Sequence, residues 1–300
     1  MTPTATHVEV RPVSAAVGAE VLHVDLTDLN DEDFAVIEAA WHRHSALVFR
    51  DQRLGDADLI RFSRRLGELD PPPMNENGKT FVADHPEIYV VSNVVGADGV
   101  PIGSLGAGEA VWHTDMSYLA EPPDASMLYA LEVPPEGGNT WVISMEAALR
   151  DMPASLVERI RGLRLKHDGT FNSGGYLRKG LVATDDPVTS PGTAHPIVCA
   201  HPVTGRPTLY LGRRRNAYIV GLPLDESEAL LDGLWSYATA PRNAYEHRWR
   251  VGDLLLWDNR STMHRRDPFP ADSRRVMHRT QIKGSARPRA FEGALQGMAS

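Results

Sequence analysis

From Ile88 onward the chain is written largely in short apolar and β-branched runs, and this limits its fold more than any other feature. Ile88-Tyr89-Val90-Val91, Ser126-Met127-Leu128-Tyr129-Ala130-Leu131, Thr140-Trp141-Val142-Ile143, Thr208-Leu209-Tyr210-Leu211, Asp253-Leu254-Leu255-Leu256-Trp257 and the stretch from Arg275 to Ile282 all have strand length and composition. Val8 to Val24 reads as short strands and turns, and Ala46-Leu47-Val48-Phe49 as a buried strand. Helical periodicity enters at only a few places. Asn30 is placed to cap a helix whose first turn carries Asp31, Glu32 and Asp33 and whose inner face carries Phe34, Ile37 and Trp41. A second helix is expected from Asp56 or Asp58, with Leu59, Phe62 and Leu66 inward and Gly67 as its stop. Shorter ones are expected at Met145–Asp151, Ala154–Gly162 and Asp225–Ala238, the last capped by Asp225. This is not the strict strand–helix alternation of a doubly wound sheet. It predicts a mainly β fold with flanking helices, a sandwich or jelly roll, in one domain spanning residues 1–300.

Two stretches read as loops, at about residues 96–110 and 168–196, both rich in Gly and Pro, and their length marks them as active-site loops. The formal charge of −8, with both signs interspersed, argues against a nucleic-acid partner. The single cysteine, Cys199, leaves no disulfide framework and fits a reducing compartment. No basic, apolar leader opens the sequence and no apolar run approaches membrane-span length, so a cytoplasmic protein without a membrane partner is expected.

The sharpest chemical signal is Trp112-His113-Thr114-Asp115. In extended backbone, residues two apart face one side, so His113 and Asp115 can reach one metal ion. Alone the pair is weak. A candidate third ligand is His264, in Trp257-Asp258-Asn259-Arg260-Ser261-Thr262-Met263-His264. Two histidines and a carboxylate on one side of an ion leave positions open for small ligands. Arg275 and Arg279 follow, and on a strand they share a face. Two guanidinium forks so placed suit carboxylates.

These residues resemble the taurine dioxygenase/2,4-dichlorophenoxyacetate dioxygenase family of Fe(II)- and 2-oxoglutarate-dependent enzymes. The likeness runs from about Val8 to Gly284. It also takes in Gly137-Gly138-Asn139-Thr140, His201-Pro202-Val203-Thr204-Gly205-Arg206-Pro207 and the spacing from His264 to Arg275 and Arg279. It implies a double-stranded β-helix, with His113, Asp115 and His264 as iron ligands and Arg275 and Thr140 on 2-oxoglutarate. Arg279 would meet the anionic group of a small substrate. The implied reaction consumes O2 and 2-oxoglutarate and hydroxylates an unactivated carbon, cleaving a carbon–heteroatom bond where the carbon bears sulfur, oxygen or nitrogen. Halogenating relatives have a small residue where Asp115 stands, so hydroxylation is expected. Relatives form dimers or tetramers, so a homo-oligomer is expected.

Further substrate contacts are expected from Tyr118, Asn93 and the run Arg213-Arg214-Arg215, with Arg214 chosen. That run stands where phenoxyacetate-cleaving relatives present histidine. Glu109 and Pro71-Pro72-Pro73 depart from the taurine enzyme and argue against taurine itself. Two other readings use the same residues: a metal-dependent hydrolase, which has no use for Arg275, and a non-catalytic jelly-roll protein that only holds an anion.

Overall fold

The computed structural model describes residues 7–72, 80–184 and 186–294. The N-terminal residues before His7, and Pro73, lie outside them. Strands and helices are numbered in chain order. One sheet has eight strands in the order β1 (Glu9–Pro12), β2 (Ala19–Leu22), β3 (Ala46–Phe49), β15 (Leu254–Asp258), β7 (Ala125–Glu132), β17 (Val276–Ile282), β4 (Tyr89–Ser92) and β5 (Ser104–Leu105). A facing sheet has four: β14 (Ala244–His247), β8 (Thr140–Ser144), β16 (Thr262–Arg266) and β6 (Ala110–His113). Two smaller sheets complete the framework. One joins β10 (Gly192–Pro196), β9 (Arg164–Asp168) and β13 (Tyr218–Ile219); the other joins β12 (Pro207–Leu209), β11 (Val198–Ala200) and β18 (Arg289–Ala290). The described residues form five α-helices, α1 (Asp31–His44), α2 (Asp56–Leu66), α3 (Met145–Arg150), α4 (Ala154–Ile160) and α5 (Leu224–Ala238). The architecture is the expected mainly β jelly roll with flanking helices.

Alternation along the central strands separates two apolar layers. Leu47, Phe49, Met127, Tyr129, Leu254 and Leu256 face outward and pack with Ile37 and Trp41 of α1 and Leu59 and Phe62 of α2. Their neighbours Ala46, Val48, Leu128, Ala130, Leu255, Trp257 and Met277 face inward and meet Val142 of the opposite sheet. Both faces are covered, which is why these strands read as unbroken apolar runs rather than as alternating ones. Each large side chain buried here contributes about 1.5–3 kcal/mol relative to exposure. The third layer places Ile143 and Met263, from the outer face of the four-stranded sheet, against Leu149 of α3 and Leu230, Leu231 and Leu234 of α5.

Asn30 caps α1 as expected, its side chain accepting from the Asp33 N–H at 2.8 Å. Asp225 does not cap α5. The helix starts a residue earlier, behind Pro223, and Asp225 lies in its first turn, where its charge still favours the helix N-terminus. The two loops are shorter than their composition suggests. Ser104–Leu105 and Ala110 belong to strands, and Gly192–Pro196 pairs antiparallel with β9, Gly192 to Asp168 and Pro196 to Arg164. Edge strands tolerate proline, so Pro191 and Pro196 were poor evidence for a loop. No helix among the described residues is long and apolar enough to cross a membrane.

Candidate active site

The same alternation assembles the site between the two large sheets. His264 on β16 shares inward parity with Thr262 and Arg266, and its Cα pairs directly with that of His113 at the end of β6. Asp115 follows two residues later. From the facing sheet come Ser126 on β7, of the same parity as Leu128, and Arg279 on β17, of the same parity as Met277. His113, Asp115 and His264 are all buried, and one ligand atom from each lies within 4.8 Å of the others.

Asp115 Oδ1 stands 3.6 Å from His113 Nε2 and 3.8 Å from His264 Nε2. These separations are too long for hydrogen bonds but suit three ligands converging on one ion. The His113 Nδ1 lies 2.7 Å from the Val111 carbonyl oxygen, which can only accept. The ring proton therefore sits on Nδ1 and leaves the Nε2 lone pair for a metal. Burial, reinforced by the neighbouring His113, holds His264 well below the usual imidazole range and so neutral. Burial would raise the Asp115 carboxyl, but Arg279 and the two histidines outweigh it and hold it well below the usual carboxylate range. Two imidazoles and a carboxylate are a fitting donor set for Fe(II).

Arg275 is the strongest mark of a second ligand. It is 1% exposed, and none of Nε, Nη1 and Nη2 has a hydrogen-bond partner. Burial, with the nearby Arg266 charge, pushes its pKa down to about 9. Trp249 and Phe269 flank it, each ring centroid 6.0 Å from the guanidinium carbon. Gly138, with φ of +65°, gives it room: a Cβ there would come within 3.3 Å of the Arg275 Cδ and Nε. Thr140 is buried on β8, and its hydroxyl accepts from Trp249 Nε1 at 3.1 Å, which leaves the hydroxyl proton free to donate. An unpaired fork and a hydroxyl fit a carboxylate-bearing cosubstrate.

Arg279 enters the cluster as an ion pair. Its Nη2 lies 2.7 Å from Asp115 Oδ2 and donates to Ser126 Oγ at 2.9 Å. Ser126 Oγ itself lies 2.9 Å from Asp115 Oδ2, so both orient that carboxylate. Asn93 acts behind Arg275. Its amide donates to the Ser273 carbonyl at 2.7 Å and its Oδ1 accepts from the Arg275 N–H at 3.0 Å. It holds the segment that delivers Arg275 and is not placed as a substrate contact. Arg214 turns the other way, to Glu228 at 2.7 Å and Asp232 at 2.8 Å on α5. The inward member of that run is Arg213, which is 9% exposed. Tyr118 packs beneath the Arg178 guanidinium at 4.4 Å.

Sequence reasoning missed Ser126, Trp249 and Arg266. Arg266 is two residues past His264 on one strand face, so parity alone marks it. It is buried, and its Nη2 donates to the Leu105 carbonyl at 3.0 Å and to that of Gly108. A cavity of about 440 Å³ lined by His201, Tyr210, Arg260 and Arg289, among others, includes no metal ligand and neither Thr140 nor Arg275.

The comparisons with known proteins agree with this geometry. Residues 9–281 match the family described as Taurine catabolism dioxygenase TauD, TfdA family. The chain is 32% identical to an (S)-phenoxypropionate/alpha-ketoglutarate-dioxygenase of Sphingobium herbicidovorans over 294 residues, covering 92% of this chain and 95% of the relative. A solved taurine dioxygenase from Burkholderia xenovorans superposes with a TM-score of 0.74 at 32% identity, covering 95% of this chain and 97% of the other. AAD-2, solved with Mn(II) and N-oxalylglycine, gives a TM-score of 0.74 at 27% identity over 94% of this chain and 99% of its own. With the His113–Asp115–His264 cluster and the buried, unpaired Arg275, these matches make the chain a member of the TauD/TfdA family of Fe(II)- and 2-oxoglutarate-dependent dioxygenases.

Proposed function

We propose that this dioxygenase hydroxylates a small anionic organic molecule (a sulfonate, sulfate ester, carboxylate or aryloxyalkanoate) and releases a heteroatom group where the attacked carbon bears one. The observation that carries the reading is the buried, unpartnered Arg275, which immediately precedes the strand whose Arg279 pairs with Asp115 of the histidine–carboxylate cluster. Bound iron, with 2-oxoglutarate and O2, supplies the oxidising chemistry. The chain's own work is placement. His113 and His264 present Nε2 lone pairs, and Asp115 presents Oδ1 while Arg279 and Ser126 fix its other oxygen. Arg275 receives the distal carboxylate of 2-oxoglutarate as a two-donor fork, and Thr140 donates its hydroxyl proton beside it. Arg279 keeps donors beyond those given to Asp115 and Ser126, and these, with Tyr118, face the substrate's charge. The inter-sheet walls of Trp257 and Trp249 exclude water from the reacting carbon.

The test is an anaerobic titration of Fe(II) and 2-oxoglutarate, followed by O2 and a panel of the four substrate classes. A metal-to-ligand absorption band that one class perturbs, and succinate release that requires O2, are the expected results. Turnover without O2 would instead identify a metal-dependent hydrolase. A perturbed band with no turnover of any compound would leave an anion-binding protein.

A further inference from the structure

Beside the metal cluster lies a group of three arginines that the placement of iron and 2-oxoglutarate does not use. The Thr114 N–H donates to the Gly212 carbonyl at 3.0 Å, so the chain enters Arg213 alongside the His113–Asp115 segment. Gly212, with φ of +64°, permits this approach, since a Cβ there would lie 2.0 Å from His167 Nδ1. Arg213 is 9% exposed, and among the described residues its guanidinium makes one hydrogen bond, from Nη2 to the Asp168 carbonyl at 3.2 Å, while its Nε has no partner. Arg178 sits over the Tyr118 ring at 4.4 Å and Arg215 over the Phe171 ring at 3.5 Å. The buried Nε of Arg178 is also without a partner.

Among the described residues, none of the three has a carboxylate oxygen within 4.0 Å, although most arginines of the chain do. The nearby acid is Asp168. Its Oδ1 accepts from the Thr170 N–H at 3.0 Å, and its Oδ2 is buried without a partner. Three cations face this one carboxylate, a net excess of two positive charges, with Arg213 buried, Arg178 half-buried and Arg215 exposed at the mouth, so it is Arg213 that most needs a partner. Burial, with the charge of Arg178 next, pushes the pKa of Arg213 down to about 10. Buried cations are stable only with a counter-charge. Stacking on Tyr118 and Phe171 uses the flat faces of two guanidiniums and leaves their N–H edges to bind.

We propose that Arg178, Arg213 and Arg215 form the subsite for the primary substrate's head group, and that this group carries two negative charges on oxygen. A phosphonate, a phosphate monoester or a pair of carboxylates has that chemistry; a lone sulfonate or aryloxyacetate does not. The inference rests on the proposed dioxygenase reading for where the reacting carbon lies, gives the head group to this cluster rather than to Arg279 and Tyr118, and narrows the substrate set to doubly charged members and their phosphoryl counterparts.

The experiment is calorimetric titration of the full chain with phenylphosphonate and benzenesulfonate at mildly alkaline pH. The two share a ring and a tetrahedral head and differ by one charge. The phosphonate should bind at least about tenfold more tightly, and Arg213→Gln should erase that preference. Arg178→Gln, at a half-buried position that tolerates change better, should erase most of it and guards against misfolding of the first variant. Equal affinities, no binding of either compound, or a preference that survives both variants would overturn the proposal. Titration with 2-oxoglutarate in the same samples reports separately on Arg275. Its failure would sink the dioxygenase reading and leave the arginine subsite standing.

Discussion

Arg275 is buried and Arg260 nearly so, both beside strands of the eight-stranded sheet, and the molecule treats them in opposite ways. Arg260 donates to Asp258 through Nε at 2.9 Å and Nη2 at 2.6 Å, and Nη1 lies 3.4 Å from Asp124. Burial would lower its pKa, but Asp258 outweighs this and raises it. His201 Nε2 closes the network on Asp258 Oδ2 at 3.0 Å. Arg275 has no acceptor among the described residues, and its pKa falls to about 9. A charge whose partners are built into the chain holds the chain together. A charge whose partner is missing is arranged for a molecule that arrives later, and burial alone does not tell the two apart.

The largest expected effect lies on the binding side of this contrast. Asp115→Ala removes the only anionic donor of the cluster. It should lower O2-dependent succinate release by at least about 1000-fold, since an interaction central to the chemistry accounts for several kcal/mol of barrier. The fold should persist, because Arg279 is left beside Ser126 and partly solvated. Metal content and activity would be measured together. Turnover above about a tenth of wild type would show that Asp115 is not a ligand.

The contrast is sharpened most by a matched pair of substitutions. Arg275→Met removes an uncompensated charge and keeps the volume. Stability should hold or rise by about 1 kcal/mol, while 2-oxoglutarate affinity falls by roughly 2–5 kcal/mol. Arg260→Met strands Asp258 and should cost about 3–5 kcal/mol of stability. Denaturant melts and ligand titrations on both proteins check the pair. If the two variants lose stability equally, the distinction between scaffold and receptor collapses.

Asp258 tests the scaffold side through pH. Burial raises its carboxyl pKa, but Arg260 and His201 outweigh this, so the folded value lies well below the unfolded one of about 3.9. The resulting stability is present above roughly pH 4 and is lost as pH falls through that value towards the folded pKa. Asp258→Asn should therefore be less stable at neutral pH by about 2–3 kcal/mol and show a shallower acid limb. An unchanged acid limb in urea melts would remove Asp258 from the network.

What was readable beforehand follows the same division. Parity placed His113 with Asp115, and apolar runs placed the strands around them, because strand geometry is local. Asn93 and Arg214 were misplaced for non-local reasons. Asn93 is claimed by the backbone of Ala271 and Ser273, and Arg214 by two acids on α5, partners that no spacing along the chain reveals. Gly192–Pro196 forms an edge strand that was read as loop, because Pro191 and Pro196 suit loops and sheet edges alike and an edge is defined only once the sheet exists.

Thr140 gives the smallest effect and belongs to both sides of the contrast. Its hydroxyl accepts from Trp249 Nε1 inside the scaffold and keeps a proton for the cosubstrate. Thr140→Val preserves shape and strand preference while deleting both roles. The indole N–H then loses its acceptor, which should cost about 1 kcal/mol of stability. The lost donor should weaken 2-oxoglutarate by about 1 kcal/mol, or roughly fivefold. Thr140→Ser restores the hydroxyl without the methyl group and should recover most of the affinity. If valine destabilises the protein but leaves 2-oxoglutarate binding unchanged, Thr140 serves Trp249 alone, and Arg275 is left as the principal cosubstrate contact.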